Sequence, residues 1–313
     1  MKQTTNSILM IRPVAFRMNE QTAVNNYYQK VLDGLSPATV NEKAQQEFDA
    51  FVEKLRNVGV DVTVVEDTLQ PDTPDSIFPN NWVSFHQNAE VVLYPMFAEN
   101  RRAERREDIL DILEDKGFEI KSINDYTDAE VDGFFLEGTG SILLDRKNQK
   151  AYCALSPRAD EELFIEFCED YDLAPVIFEA FQTVKGERKL IYHTNVIMTL
   201  GETFAVICAD CIDDKKERKM VLDNLKEDGK EVILITEDQV NNFAGNMLEV
   251  KGTDDKRYLV MSNSAFQSLT KKQITQLEKH AEILSSSLDT IEACGGGSAR
   301  CMMAEIFLPK KEM

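Results

Sequence analysis

The sequence contains no apolar run of the roughly 20 residues that a membrane-spanning helix needs. Positive charge is also short: 35 Lys and Arg against 55 Asp and Glu leave a net charge of −20. That balance speaks against nucleic acid or an anionic membrane as a partner. Histidine occurs three times, and the six cysteines stand at irregular intervals. Neither pattern is a disulfide framework or a zinc site, so a reduced, cytoplasmic protein without a metal is expected. The single CxxC, Cys208-Ala-Asp-Cys211, has no second pair and no histidine close by. The N-terminal MKQTTNSILMIRP lacks a small-residue cleavage site and reads as a first strand, not a signal peptide. No linker or low-complexity stretch interrupts the chain, so residues 1–313 are expected to form one domain.

What the sequence does have is a repeat of about 56 residues. Helical patterns recur in NEKAQQEFDAFVEKLRNVG, in RRAERREDILDILEDKG, from Asp160 to Asp170, in KKERKMVLDNLKEDG and from Thr270 onward. Three of them stop at a glycine, Gly59, Gly117 or Gly229. An extended run follows each helix: VDVTVVE, FEIKSIN, APVIFEA, EVILITE and ILSSSLDTI. Two further strand-like segments complete most units, such as WVSFH with VVLYP and NVIMTL with FAVIC. The last unit supplies only CMMAEIF, and the missing strand is ILMIRP near the N-terminus. The pattern predicts an α/β ring of five strand–strand–helix–strand units, a five-bladed propeller closed by its terminal strands.

A ring of equivalent units brings equivalent positions to a common axis. Asn81, Glu137 and His193 recur at intervals of 56, and Cys301 lies 108 beyond His193. A lone buried cysteine is ordinarily core. A carboxylate, an imidazole and a thiol converging from distant units point instead to chemistry. The thiolate is a nucleophile, the imidazole moves protons near neutral pH, and the carboxylate orients the imidazole or holds a cation. His86, on an alternating strand, and His280, near a helix end, read as surface or capping residues. Gly138-Thr139-Gly140 lacks the third glycine of a dinucleotide fingerprint.

At these residues the sequence resembles the guanidine- and ureido-modifying pentein superfamily of arginine deiminases, amidinotransferases and dimethylarginine hydrolases. Within it, the resemblance is greatest to the arginine-deiminase-related citrulline-utilisation hydrolases. It runs over nearly the whole chain, through MIRPVAF, DSIFPNNW, FFLEGTGSILLD, YHTNVIM and GGGSARCM. The resemblance implies the five-bladed pentein fold, Cys301 as nucleophile, His193 as proton carrier and Glu137 as assisting carboxylate. It implies substrate contacts at Asp75, Asn80 and Asn81, and a carboxylate-binding role for Arg101 or Arg102, here taken as Arg102, and for Arg158. Cofactors are not expected.

Two departures bear on the substrate. Asn81 and Asn195 stand where arginine-processing members carry aspartate to grip the guanidinium. Asparagine offers both an acceptor and a donor, which suits a neutral ureido group. The expected reaction is therefore hydrolysis at the ureido or guanidino carbon of an arginine-like amino acid, citrulline to ornithine being favoured. Amidino transfer and arginine or methylarginine deimination are the enzymatic alternatives, and a non-catalytic pentein binding protein is the alternative of another class. A monomer and a homodimer fit the sequence equally.

Overall fold

Five three-stranded sheets form from the strand-like segments, in a computed structural model that describes residues 1–311. Glu312 and Met313, which the single-domain expectation includes, lie outside the described residues. In every sheet a central strand pairs antiparallel with an inner strand and parallel with an outer one. The centres are Ser7–Arg12, Glu90–Leu93, Lys150–Leu155, Phe204–Ile207 and Arg257–Ser262. The inner strands are Ala304–Glu305, Val83–Phe85, Ile142–Asp145, Met198–Leu200 and Leu248–Lys251. The parallel partners are Asp61–Glu66, Ser122–Asp125, Ala174–Glu179, Glu231–Leu234 and Glu282–Ser286. A parallel pair needs a crossover, and each crossover carries a helix.

Those helices are Pro37–Asn57, Asp108–Asp115, Glu161–Asp170, Lys215–Glu227 and Lys271–Leu277. Local chemistry sets their ends. Ser36, Asp160, Asp214 and Thr270 cap four N-termini through side-chain oxygens, Thr270 in a capping box with Gln273. Gly59, Gly117 and Gly229 end three helices with φ of +89°, +84° and +75°, a conformation that L side chains resist. The first helix buries Val40, Ala44, Phe48, Phe51, Val52 and Leu55 on one face. Truncating a residue such as Phe48 to alanine would cost about 3–5 kcal/mol.

Three expectations need correction. The basic run 101–107 does not join the following helix: Glu99–Arg102 is a separate turn, and Arg106 pairs with Asp108 at the new helix start. CMMAEIF contributes only Ala304–Glu305 as strand, because Cys301, Met302 and Met303 are engaged in turns back to Ser298, Ala299 and Arg300. His86 is buried: its Nε2 and Ser84 Oγ are 2.8 Å apart, and Phe167 and Tyr171 from the next unit's helix end pack against its ring. His280 is a half-buried partner of Thr203 and Glu231. An unanticipated hairpin, Phe181–Val184 with Glu187–Leu190, is inserted before the fourth sheet.

The inner strand of each sheet is preceded by a tight turn, and the turn places one polar residue. Asn81 ends the turn Pro79–Asn81, Glu137 opens Gly138–Ser141, and His193 opens Thr194–Val196. Asn246 and Cys301 stand just before the last two inner strands. The terminal regions meet in one sheet, where Ile8 and Leu9 pair with Glu305 and Ala304.

Candidate active site

Cys301 and His193 line one narrow pocket together with Asp75, Asn81, Arg101, Arg158 and Tyr192. The Cys301 sulfur lies 3.2 Å from Asn246 Nδ2 and 3.5 Å from Asn195 Nδ2. Asn246 is held rigidly for this contact. Its Oδ1 accepts from the Arg300 backbone N–H at 3.0 Å, and its Nδ2 also donates to the Asn195 carbonyl at 3.0 Å. Sequence reasoning missed Asn246. The signal was present, because half of the 108-residue interval after His193 falls one residue past it.

His193 Nε2 meets Glu137 Oε2 at 2.7 Å. Glu137 is fully buried, and its other oxygen accepts from the Phe97 backbone N–H at 3.1 Å. Burial works to raise this carboxyl, but Arg158 at 3.5 Å, then His193 and Arg101, overcome it and hold it near 2. Burial lowers His193 to about 4 although Glu137 pulls the other way. The pair is thus a carboxylate and a neutral ring. Nε2–H donates to Glu137, and Nδ1 keeps its lone pair. Glu137 stands behind the pocket wall, where its oxygens are engaged by His193, the Phe97 backbone N–H, Arg158 and Arg101.

The arginine expectation is corrected by one position. Arg101 is the residue facing the pocket, clamped to Glu104 by Nε and Nη2, both at 2.9 Å. Arg102 points away: its Nε donates to the Met96 carbonyl, and it lies 3.5 Å from Glu130. Burial pushes Glu104 up to about 7 against the pull of Arg101. Arg158 donates to Asn25 and to the Thr22 carbonyl and stacks over Tyr192 at 4.8 Å.

Two buried polar atoms in this pocket lack a partner, Asn81 Nδ2 and Asp75 Oδ1. The orientation of Asn81 follows from chemistry. Its Oδ1 sits 2.8 Å from Arg101 Nη1, which can only donate, so the amide NH₂ must face the other way. Asp75 Oδ2 accepts from Asn19 and Thr22, and burial pushes this carboxyl upward against Arg101 and those hydrogen bonds. Asn80 is buried beside Thr139 and does not line the pocket. Gly140 is required by close approach: a Cβ there would come within 2.4 Å of Asn81 Nδ2 and 2.7 Å of His193 Nδ1. An acidic side chain at 140 would therefore displace both.

Residues 13–36 lie over the pocket, with Asn19 and Thr22 on Asp75, Asn25 on Arg158 and Asn26 on the Gly295 carbonyl. Cys301 is 4% exposed beneath them. Elsewhere, Cys208 and Cys211 are buried free thiols, and no metal-sized group of His, Cys, Asp and Glu occurs among the described residues. Nor is any helix among them long and apolar enough to cross a membrane.

The model of the family described as N,N dimethylarginine dimethylhydrolase, eukaryotic, matches residues 12–308. No curated protein matches the chain significantly. Among solved structures, ArgZ, an arginine dihydrolase of the ornithine-ammonia cycle in cyanobacteria, superposes with a TM-score of 0.73 at 16% identity. That match covers 97% of this chain, which spans 41% of the length of ArgZ. The N-terminal domain of ArgZ bound to product gives 0.70 at 18% identity and is itself covered to 99%. A dimethylarginine dimethylaminohydrolase in adduct with S-methyl-L-thiocitrulline gives 0.63 at 13%, with 97% of this chain and 100% of that one covered. At such identities these likenesses establish a shared α/β fold.

Proposed function

Because the chain belongs to the N,N-dimethylarginine dimethylhydrolase family of the pentein superfamily, we propose that it is a cysteine hydrolase of the ureido carbon, converting citrulline to ornithine. In this reading residues 1–313 form one domain whose five sheets close into a propeller, with Asn81, Glu137, His193, Asn246 and Cys301 around its axis. The free thiols fit a cytoplasmic enzyme, as a monomer or homodimer.

The observation that carries the substrate is the pair of unpartnered atoms, one donor and one acceptor. A ureido group presents a carbonyl for Asn81 Nδ2 and an NH₂ for Asp75 Oδ1. A guanidinium has only donors and would leave the Asn81 amide buried and unmatched, a cost of about 1–3 kcal/mol. Arg158 is the group for the amino-acid carboxylate, once residues 13–36 lift and release it from Asn25.

Cys301 gives its proton to His193 Nδ1, and the thiolate sulfur bonds to the ureido carbon. Its position is fixed by Asn246 and Asn195. The carbon–nitrogen bond then breaks, and the departing amine takes the proton that His193 holds. Glu137 supports the imidazolium while that charge exists. Water next gives a proton to His193, attacks the thioester-like carbon and expels the thiolate, which recovers its proton. For citrulline the departing amine is ornithine, and expulsion of the thiolate leaves carbamic acid. Breakage of its remaining carbon–nitrogen bond gives carbon dioxide and ammonia, with one water consumed overall.

The test incubates the purified protein separately with citrulline, arginine and N,N-dimethylarginine and measures ornithine, ammonia, citrulline and dimethylamine. Ornithine and ammonia from citrulline are expected. Inert citrulline, with dimethylamine released from dimethylarginine, would overturn the ureido reading and leave a methylarginine hydrolase. Ornithine from both arginine and citrulline would make the protein a dihydrolase, the class of enzyme to which ArgZ belongs.

A further inference from the structure

A second, smaller cavity lies beside Gln3, Thr139, Arg146, Arg300 and Glu305, with aliphatic side chains completing its wall. It has room for about one water-sized occupant. Arg146 is 6% exposed, and its guanidinium lies 4.1 Å over the Phe307 ring. Among the described residues no acceptor hydrogen-bonds that guanidinium and no carboxylate comes within 4.0 Å of it, and Glu305 of the same wall acts on it only from farther off. Only the Arg146 backbone N–H is engaged, by Gln3 Oε1 at 2.8 Å. Arg300 is answered: it donates to the Met303 carbonyl at 2.9 Å and to Glu305 at 3.0 Å. One carboxylate therefore stands among two buried guanidinium groups, and it is committed to Arg300.

We propose that this cavity binds a single small inorganic anion, a halide such as chloride, on the Arg146 guanidinium. A buried cation with neither an anion nor a hydrogen-bond acceptor is costly. A water molecule could accept from Arg146 and donate to Glu305 or Thr139, but it would leave two guanidinium groups facing one carboxylate, with the excess positive charge unbalanced. A halide has no hydrogens to place, accepts from several N–H groups at once and balances the charge. The walls exclude larger oxyanions by size. The occupant would sit behind the mounts of the first pocket, since Arg300 directly precedes Cys301 and Thr139 lies two residues past Glu137. Its bound state would fasten both turns.

Thermal unfolding in sodium chloride and in sodium gluconate of equal ionic strength tests this. The wild-type protein should show a saturable rise in Tm of about 2–4 °C in chloride, and Arg146→Gln should lose it. Equal melting in the two salts would overturn the assignment, as would a chloride shift that survives in the variant. Should the variant fail to fold, wild-type crystals grown in sodium bromide decide. An anomalous difference peak beside Arg146 supports the site, and its absence overturns it. None of these readouts depends on what Cys301 does.

Discussion

Around the pocket that holds Cys301, Arg101 is clamped by Glu104 and Asn81, and Arg158 reaches Glu137, Asn25 and a backbone carbonyl. Beside the smaller cavity, Arg146 meets no acceptor among the described residues, and the nearby Glu305 is bonded to Arg300. The first arrangement settles its charges internally before any ligand arrives. Apart from the Cys301 thiol and His193 Nδ1, what remains free there is one amide donor and one carboxylate acceptor, so selection falls to hydrogen-bond pattern more than to net charge. The second leaves a whole charge open, and whatever binds must bring the opposite sign. Buried arginine alone is thus no guide to ligand. The state of its partners is.

Four changes break or sharpen that contrast. Cys301→Ser removes the sulfur and leaves every charge in place, so citrulline turnover should fall by at least ~10³-fold with an unchanged melting curve. Retained ornithine release would remove the nucleophile assignment. Glu137→Gln makes the first pocket resemble the second, stripping Arg158 and His193 of their carboxylate. Denaturant titration should then show a loss of about 3–5 kcal/mol.

The same variant sharpens the pH dependence. Both His193 and Glu137 are held below their ordinary values, 6.5 and 4.5, so the unfolded chain takes up each proton first on acidification. Wild-type stability should therefore fall as pH drops from 6.5 to about 4, and again from 4.5 to about 2. Glu137→Gln should lack the second loss in pH-dependent urea melts. Asn81→Asp adds an anion between Arg101 and the free space and should raise the arginine-to-citrulline ratio of kcat/KM roughly 10-fold or more. Arg102→Ala lies outside the web, and both steady-state rates and Tm should stay near wild type, within ~0.5 kcal/mol.

Much of this was legible in the sequence, for reasons that differ by element. The alternation of helix and extended runs located all five crossover helices and their flanking strands, because each unit repeats the same burial pattern. The 56-residue interval found Asn81, Glu137 and His193, since equal units carry equivalent residues to equivalent turns. Asn246 escaped because its unit is three residues shorter, 53 instead of 56. Adjacent residues on one helical turn point about 100° apart, so Arg101 and Arg102 could be ranked only by seeing Glu104 beneath the first. Residues 13–36 carry no periodicity, and nothing in their composition announces that Asn19, Thr22, Asn25 and Asn26 would cover the pocket. Arg146 was invisible for a different cause. Its lack of a partner depends on the commitments of Glu305 and Gln3, and no spacing records an absence.

The pairing of Ile8 and Leu9 with Glu305 and Ala304 has a consequence in time. A chain made from its N-terminus exposes Ser7–Arg12 early, with Asp61–Glu66 soon available on one side and an open edge on the other. That edge waits about 240 further residues for its second partner, a long-range closure that folds slowly. The turn bearing Cys301 immediately precedes the same late strand. A ribosome-bound chain can therefore complete the four other sheets and still lack a seated thiol. The mount of Cys301 is set only after those four sheets can form.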